Sequence, residues 1–387
     1  MTFSTTPLER ARSLERLVRQ HADASERQRH LQADVAKAFA ETGLYRIAAP
    51  QDCFGGEADP CTQIATIEVV SGFDGSAGWN LMIGIETFGL IAPAFTTCMD
   101  LIADPLVIMC SSTAAVGKAH KVDGGYRVNG QWQFVSGCHN SSIFGATVRL
   151  YENDEPVAGL ATVYAVVELP DFEILDTWHV GGLCGSGSHD VRLTDVFVAE
   201  DRIVAPMGAA TNASPLLHFP LGSRLAYNKV GVALGIARAA IDAFVELAEG
   251  KTPRFTSASL RERPHAQRAV AEAEIRLRGC RSVVFELLEQ MWSIVQERGH
   301  ITTRERAIFQ IACSDAVKGC AEAVELVSEA AGTTANQKGH PLERLTRDIR
   351  VVRQHITVAS HHIEDGGRVL LGLEPIEMML KGGFNRN

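Results

Sequence analysis

Hydrophobic and polar residues change their spacing twice along the 387-residue chain. Residues 1–104 carry apolar positions at helical spacing, as in LQADVAKAFAETGL, with one Gly- and Pro-containing break, PQDCFGGEADP. Residues 105–210 contain short β-branched and aromatic runs, with hairpin signals at Asp123–Gly125 and Asn129–Gly130. Helical spacing returns over residues 211–387 in four long stretches. The pattern predicts an α+β protein with an N-terminal helical domain, a central antiparallel β-barrel or sandwich and a C-terminal four-helix bundle.

The last helical stretch, Arg344–Gly367, contains three histidines. On a single helix one stripe is formed by Val351, His355, Val358 and His362. We therefore expect His355 to face packing or a pocket. His361 and His362 are expected near the end of this helix, where a cation suits the helix dipole and solvent is close, and we assign them no chemistry.

Composition and charge narrow the class of protein. With 46% hydrophobic residues the chain can bury a large core, and its net charge of −9 comes without a long basic block, which argues against a nucleic-acid surface. The N-terminal stretch MTFSTTPLERARSLERLVRQ lacks the apolar core of a signal peptide, and no later segment reaches about 18 uninterrupted apolar residues. We expect a cytoplasmic protein without a membrane partner.

Cysteine spacing and glycine motifs argue against two further kinds of site. Nine cysteines are scattered without the CxxC pairs of a zinc site or a redox dithiol, so we expect reduced, mostly buried thiols and no metal. No GxGxxG fingerprint follows a strand, which argues against a nicotinamide site in this chain.

Five motifs, spread over nearly the whole chain, carry a family resemblance. They are ETGLYRIAAPQDCFGG, DGSAGW, VDGGYRVNGQWQFVSG, DTWHVGGLCGSGSHDVRLTDVFV and ERLTRDIRV. With the helix–sheet–bundle order they resemble the acyl-CoA dehydrogenase superfamily, and within it the two-component monooxygenases that use reduced flavin. The resemblance implies reduced FMN or FAD, O2, a C4a-hydroperoxide, a small aromatic or heteroaromatic substrate and a separate NAD(P)H-dependent flavin reductase.

The motif QWQFVSG supplies the first candidate residues. Alternation along a strand would place Trp132, Phe134 and Ser136 on one face. The resemblance implies that this face lies against the flavin ring, with the Ser136 hydroxyl holding the N5–H and the hydroperoxide. A serine that caps the turn before Gly137 is the structural alternative.

The stretch CSSTAAVGKAH resembles a strand-to-loop segment at the flavin pyrimidine edge. The resemblance implies that Ser111, Ser112 and Thr113 contact the flavin, whereas an ordinary Ser- and Thr-rich loop is the alternative. In GLCGSGSHD, Gly185–Ser188 is expected to form a tight turn.

His355 is the candidate for proton transfer. The monooxygenase branch has a histidine seven residues after the aspartate of an Arg-Asp pair, which corresponds here to Asp348 and His355. The dehydrogenases carry a catalytic glutamate one position later, where this chain has Ile356. A histidine titrates near neutral pH, so His355 is expected to donate a proton to, or accept one from, the oxygenated flavin or its substrate.

The substrate pocket departs from that of the phenol hydroxylases. Relatives carry a histidine about eight residues after the GW pair, where this chain has Thr87, preceded by Glu86. Glu86 is expected to form a surface pair or, alternatively, to sense an amine or ring N–H. Trp79 and Asn80 are expected, on resemblance, to border the pocket.

Two alternatives and two assembly predictions remain. An acyl-CoA dehydrogenase would need its glutamate elsewhere, for instance at Glu246, and a non-catalytic member of the fold would bind no flavin. Ser136 and His355 are expected to approach one flavin, from the β-domain and from the bundle. Apolar stripes such as VALGIARAAIDAF predict self-association through the C-terminal domain, as a homotetramer or at least a dimer.

Overall fold

The computed structural model describes residues 3–159, 162–205 and 214–381. The α-helices of these residues are α1 Pro7–Ser13, α2 Glu15–Gln28, α3 Ala33–Glu41, α4 Pro60–Ser71, α5 Gly75–Leu90, α6 Pro215–His218, α7 Leu221–Gly250, α8 Pro264–Arg298, α9 Thr303–Ala331, α10 Pro341–Gln354 and α11 His361–Leu370. The strands are β1 Met109–Val122, β2 Gly125–Trp132, β3 Ile143–Glu152, β4 Glu155–Pro156, β5 Val163–Glu168, β6 Glu173–Leu175, β7 Asp190–Ala199 and β8 Ile203–Val204.

Two compact units are formed by the chain. The first comprises Met1–Ala58, Asn80–Val180 and Cys184–Leu216, and the second comprises Asp59–Trp79, Gly181–Leu183 and Leu217–Asn387. The sheet and most N-terminal helices therefore belong to the first unit, and α4 belongs to the second with the long C-terminal helices. The three-domain division stays a prediction; its boundary at residue 104 falls between α5 and β1, and its boundary at residue 210 lies outside the described residues.

One mixed sheet forms the core of the first unit. Its described strands run in the order β6-β7-β2-β1-β3-β5-β8, with β4 paired to β3. β1 and β3 pair in parallel and the other pairs are antiparallel, so the expected all-antiparallel pairing is wrong for one pair. Trp132 and Phe144, both fully buried, pack edge to face within the apolar cluster of this sheet.

Only one of the two hairpin signals marks a turn. Asp123–Gly125 joins β1 to β2 as predicted. Asn129–Gly130 lies inside β2, where the pairing with β7 changes register, so the second hairpin prediction is wrong. A Cβ at Gly130 would lie 2.7 Å from a ring atom of Trp132, so this glycine allows the indole to pack closely against the strand.

Four long helices dominate the second unit, as the periodicity predicts. α7, α8, α9 and α10 have 30, 35, 29 and 14 residues. A capping box of Thr302 and Glu305 begins α9, and Gly299, at φ +76°, ends α8. A Cβ on Gly235 would lie 2.3 Å from the carbonyl oxygen of Glu68, so the backbones of α7 and α4 meet without a side chain between them.

The single helix predicted for Arg344–Gly367 is wrong. α10 ends at Gln354, and α11 begins only at His361. The intervening backbone leaves the helical region at His355, where ψ is 134°. Side-chain hydrogen bonds to nearby backbone compete with helix formation here, and the consecutive β-branched residues Ile356, Thr357 and Val358 have low helix propensity.

The helix break also changes the surroundings of the next two histidines. His361 and His362 lie in the first turn of α11, where the helix dipole disfavours a cation, so the expected position near a helix C-terminus is wrong. His362 is 1% exposed, and its Nε2 donates to the carbonyl of Ile356 at 2.6 Å. Burial lowers the pKa of His362, which makes it a neutral packing residue.

The prediction of unpaired, mostly buried thiols is confirmed. All nine cysteines are free, six of them buried and three partly exposed. No helix within residues 3–159, 162–205 and 214–381 has both the length and the apolar character that crossing a membrane requires.

Candidate active site

Ser136 lies in a loop that two backbone hydrogen bonds tie to the segment before β7. The N–H of Val135 donates to the carbonyl of His189 at 3.0 Å, and the N–H of Gly137 donates to the carbonyl of Ser186 at 3.1 Å. Gly137 has φ +78°, a conformation that glycine adopts without strain. Ser136 is only 5% exposed, so the loop holds its hydroxyl inside the first unit.

Three serine hydroxyls form a row at this loop. Ser136 Oγ lies 2.6 Å from Ser188 Oγ, which lies 2.8 Å from Ser186 Oγ. The tight turn predicted at Gly185–Ser188 overlaps a short 3₁₀ turn, Cys184–Ser186. Ser188 therefore restricts the direction in which the Ser136 hydroxyl can point.

The prediction that Trp132, Phe134 and Ser136 share one face is wrong. β2 ends at Trp132, and Phe134 has a left-handed φ of +60°, so the alternation of a strand stops there. Trp132 is fully buried and its Nε1 donates to the carbonyl of Thr147 at 3.0 Å, which leaves no indole surface for a flavin. Phe134 is 69% exposed and contacts Trp178 edge to face. Phe134 and Ser136 stay the predicted flavin contacts.

Asn80, on α5, places a buried amide beside the Ser136 loop. Its Oδ1 accepts a hydrogen bond from the Tyr45 hydroxyl at 2.8 Å, and a Cβ on Gly137 would lie 3.2 Å from Asn80 Nδ2. Asn80 is 4% exposed, and its Nδ2 has no hydrogen-bond partner among the described residues. Buried donors are nearly always bonded, so this amide has capacity for a ligand or water. Two predicted site residues, Asn80 and Ser136, are thus neighbours.

A second pair of predicted residues meets at α5 and β1. Thr87 Oγ1 lies 3.2 Å from Ser111 Oγ, and Thr87 is 3% exposed. Ser111, Ser112 and Thr113 lie in β1 rather than in a loop, so the ordinary-loop alternative is wrong. The pairing of β1 with β3 is interrupted between Ser112 and Gly117. The flavin contacts of these residues stay a prediction.

Glu86 is not on the surface. It is 8% exposed on α5, a helix that is buried along almost its whole length, so the surface position expected for Glu86 is wrong. Buried carboxylates need hydrogen-bonding or charged partners. Glu86 and Thr87 therefore supply adjacent buried polar groups.

In the second unit, His355 follows the last residue of α10. Its ring contacts Trp79 edge to face, with centroids 5.3 Å apart, and its Nδ1 lies 2.9 Å from Thr357 Oγ1. Burial and, to a smaller extent, the charge of Lys229 lower the pKa of His355 to about 3. The expectation that His355 titrates near neutral pH is therefore wrong, and the imidazole is neutral there.

Lys229 is a further functional candidate, one that no sequence motif indicates. It is 1% exposed in the middle of α7, next to Asn228, which is 2% exposed. Lysine is rarely fully buried, and buried ionisable groups cluster at functional sites. The sequence feature that could have indicated Lys229 is a single basic residue inside the apolar run LAYNKVGVALG.

Arg347 and Asp348, the Arg-Asp pair of the family resemblance, hold the segment 181–183 of the second unit. Asp348, 1% exposed, accepts a hydrogen bond from the N–H of Leu183 at 2.6 Å. Arg347 donates to the carbonyl of Gly181 at 2.6 Å and pairs with Glu343 at 2.8 Å. The pair thus anchors the segment 181–183 against α10.

Two further kinds of chemistry were considered, a dehydrogenase with its glutamate at Glu246 and metal binding. Glu246 is exposed on α7, where it lines an open pocket together with Lys251 and His340. Within the described ranges, no group of three or more His, Cys, Asp or Glu side chains could hold a metal ion.

Comparison with known proteins supplies the family. Residues 228–360 match the model of the acyl-CoA dehydrogenase C-terminal domain. The chain is 30% identical over 352 residues to the indole-3-acetate monooxygenase of Pseudomonas putida, covering 91% of this chain and 90% of that protein. It is also 30% identical over 360 residues to the flavin-dependent monooxygenase oxygenase subunit HsaA of Rhodococcus jostii, covering 87% and 91%.

Solved structures agree with this relationship. The 3-HSA hydroxylase of Rhodococcus sp. RHA1 superposes with a TM-score of 0.86 at 26% identity, covering 97% of this chain and 99% of that one. XiaF from Streptomyces sp., solved with FADH2 and glycerol, has a TM-score of 0.88 at 22% identity, with 96% of each chain covered, and supports the fold.

The chain therefore belongs to the family of flavin-dependent monooxygenase oxygenase components that have the acyl-CoA dehydrogenase fold. It is an oxygenase component that uses reduced flavin, and an oxygenase of this class works with a flavin reductase. The predicted family, α+β fold, enzyme class and cofactor are confirmed. The dehydrogenase and non-catalytic alternatives are set aside.

Proposed function

We propose that this oxygenase uses reduced FMN or FAD and O2 to insert one oxygen atom into a small aromatic or heteroaromatic substrate. The observation that carries the proposal is the cluster of the buried Ser136 and Asn80 side chains beside Gly137 in the first unit. The names of the relatives support the substrate class, since they include enzymes of indole-3-acetate, resorcinol and p-hydroxyphenylacetate.

The residues of the first unit fit a flavin. Asn80 Nδ2 is a buried donor without a partner among the described residues, and the missing side chain of Gly137 leaves backbone exposed to close approach. Phe134 offers an exposed ring, and Ser136 a buried hydroxyl. The reduced flavin, when bound, activates O2, a reaction that no side chain of the protein can perform.

Ser136 is proposed to hold the flavin at N5–H. To accept that hydrogen bond, the hydroxyl must direct its own proton elsewhere, and Ser188 Oγ at 2.6 Å is a suitable acceptor. Ser111, Ser112 and Thr113, on β1, are proposed as further flavin contacts. These residues orient the cofactor and keep water from the reacting atoms.

His355 is proposed to hydrogen-bond the oxygen that is transferred or the substrate that receives it. His355 belongs to the second unit, whereas Ser136 belongs to the first. Trp79 contacts the His355 ring and fixes its plane.

The substrate is proposed to carry a hydrogen-bond donor such as a ring N–H. Glu86 is a buried acceptor on α5, next to Thr87, which contacts Ser111. The family resemblance implies a histidine at the position of Thr87 in phenol hydroxylases, and the Thr87 of this chain supports a nitrogen heterocycle over a phenol. The Asn80 amide is a second proposed contact for the substrate.

The assembly and location are part of the same proposal. The partner is proposed to be a separate NAD(P)H-dependent flavin reductase, and the oxygenase a homotetramer, or at least a dimer, in the cytoplasm. Exposed apolar side chains near the C-terminus support self-association, since Leu371 is 82% and Ile376 59% exposed.

The test is a coupled assay with a flavin reductase, NADH and ¹⁸O2. Indole-3-acetate, resorcinol and p-hydroxyphenylacetate serve as substrates, with free reduced flavin and O2 as the control. We expect one ¹⁸O atom in a product of the indole and less product from the two phenols. Consumption of NADH with hydrogen peroxide as the sole product from all three would contradict the proposed substrate class.

A further inference from the structure

The His355 ring is held by Thr357, on the turn between α10 and α11. The backbone N–H of Thr357 donates to His355 Nδ1 at 3.3 Å, and Thr357 Oγ1 lies 2.9 Å from the same nitrogen. A backbone N–H can only donate, so Nδ1 must carry a lone pair rather than a proton. The hydroxyl can then bond Nδ1 only by donating its own proton.

The reverse arrangement fits these contacts less well. Thr357 Oγ1 also lies 3.3 Å from the carbonyl oxygen of Leu225, so the hydroxyl could donate there and accept from a protonated Nδ1. That arrangement would place the Nδ1–H of His355 against the N–H of Thr357. It would leave a backbone donor without an acceptor in a residue that is only 5% exposed.

The position of Thr357 is itself fixed. Gln310, on α9, donates from Nε2 to the carbonyl of Thr357 at 2.7 Å, and Gln310 is 1% exposed. The ring plane of His355 is set by the edge contact with Trp79. The imidazole therefore cannot turn freely to exchange its two nitrogens.

The doubly protonated ring is also disfavoured. Burial and the charge of Lys229 lower the pKa of His355, so the ring keeps a single proton around neutral pH. With Nδ1 accepting, that proton is on Nε2.

We propose that Thr357 is a positioning residue that holds His355 as a neutral imidazole with its proton on Nε2, so that His355 acts as a neutral hydrogen-bond donor. The chemical meaning of this donor rests on the proposed function, but the tautomer is a property of the protein alone. A neutral Nε2–H stabilises negative charge on a nearby oxygen without being consumed, whereas an imidazolium would transfer its proton.

The tautomer is measured on flavin-free protein with ¹⁵N-labelled histidine, by solid-state NMR because the assembly is large. The His355 signals are identified by their loss in His355→Gln. At neutral pH we expect the chemical shift of an unprotonated nitrogen at Nδ1 and of a protonated one at Nε2. A protonated Nδ1, or two protonated nitrogens, would overturn the proposal whatever the substrate is.

Two variants test Thr357. Thr357→Val keeps the β-branched shape and removes the hydroxyl, and Thr357→Ser keeps the hydroxyl. We expect the Nδ1 shift in Thr357→Val to depart from the wild-type value, because Nδ1 loses one of its two hydrogen-bond donors, and Thr357→Ser to retain the wild-type value. An unchanged shift in a folded Thr357→Val would remove the positioning role.

The donor role is tested at His355 itself. The amide nitrogen of Gln reaches the place of Nε2 and that of Asn the place of Nδ1, so His355→Gln preserves the proposed donor and His355→Asn does not. We expect roughly tenfold more product per reduced flavin from His355→Gln than from His355→Asn. Equal losses alongside the expected NMR shifts would leave the tautomer standing and remove His355 from the reaction.

Discussion

Ser136 carries the most direct prediction at the scale of a single residue. Ser136→Ala removes a hydrogen bond worth about 1 kcal/mol net, so the ratio of product to hydrogen peroxide should fall roughly fivefold. The measurement is product and peroxide formed per reduced flavin consumed. Ser13→Ala, whose hydroxyl bonds a carbonyl within α1, is the control. Unchanged coupling in Ser136→Ala would remove this hydroxyl from the flavin site.

His355 should matter for oxygen transfer more than for flavin binding. His355→Ala should lower the rate of product formation on the order of 10²-fold, with reduced flavin still bound. Because the pKa of His355 is lowered to about 3, the wild-type rate should show no titration of this group near neutral pH. A step in the wild-type profile near neutral pH that disappears in His355→Gln would contradict this account.

His139 makes the stability of the protein sensitive to acid. Partial desolvation of its ring, with His30 stacked on it at 4.4 Å and His189 in edge contact at 4.8 Å, lowers the pKa of His139 to about 4. Its folded pKa lies below the unfolded value, so its contribution is fully present above about pH 6.5 and is lost as the pH falls toward 4.

His139→Gln should therefore reduce the acid sensitivity. Between about pH 7.5 and about pH 5, the free energy of unfolding should drop less in His139→Gln than in the wild type, by an amount that solvent screening of this exposed ring keeps small. Urea unfolding at both pH values measures it. An equal drop in both proteins would show that His139 is protonated in the folded state as readily as in the unfolded state.

At the scale of elements, the segment 181–183 of the second unit packs against α10 at Gly182, which tolerates no side chain. A Cβ on Gly182 would lie 2.3 Å from the carbonyl oxygen of Arg347, whereas Gly181 faces open space. Gly182→Ala should lower the free energy of unfolding by about 1–3 kcal/mol through overpacking, and Gly181→Ala should change it little. Similar unfolding curves for the two variants would show that the segment moves away from α10 at no cost.

Elements were more predictable from the sequence than the details at their ends. The helical and strand periodicities located the long helices and the strand region because burial imposes one period over many residues. The turn at Phe134 and the break at His355 depend on single hydrogen bonds and one left-handed residue, which leave no periodic signal. Asn129–Gly130 suggested a turn, because composition cannot separate a glycine in a hairpin from one that makes room for Trp132.

The candidate site was predicted in its residue types more than in its arrangement. Ser136, Asn80, Thr87 and His355 were named through motifs, but Thr357 and Lys229 were not. The roles of those two residues come from contacts between distant parts of the second unit, such as the one between Thr357 and Leu225. Burial also reversed two expectations, since Glu86 is not on the surface and the pKa of His355 is not near neutral.

At the scale of the whole molecule, the oligomer is open to a simple test. Light scattering should give a mass above that of one 41.9 kDa chain. Leu371→Asp should weaken association, because Leu371 belongs to an apolar C-terminal group with Leu373, Ile376 and Met378, all more than half exposed. Phe255→Asp, at an isolated side chain that is 98% exposed, is the matched control. A wild-type monomer at micromolar concentration would contradict the oligomer.

The central claim is that this protein binds reduced flavin and controls its reaction with oxygen. The most direct measurement mixes the protein anaerobically with photoreduced FMN or FAD and follows the absorbance after an oxygen pulse. The account predicts a species that is neither reduced nor oxidised flavin, shorter-lived in Ser136→Ala than in wild type. Oxidation in one step at the rate of free flavin, with no effect of the protein, would contradict it.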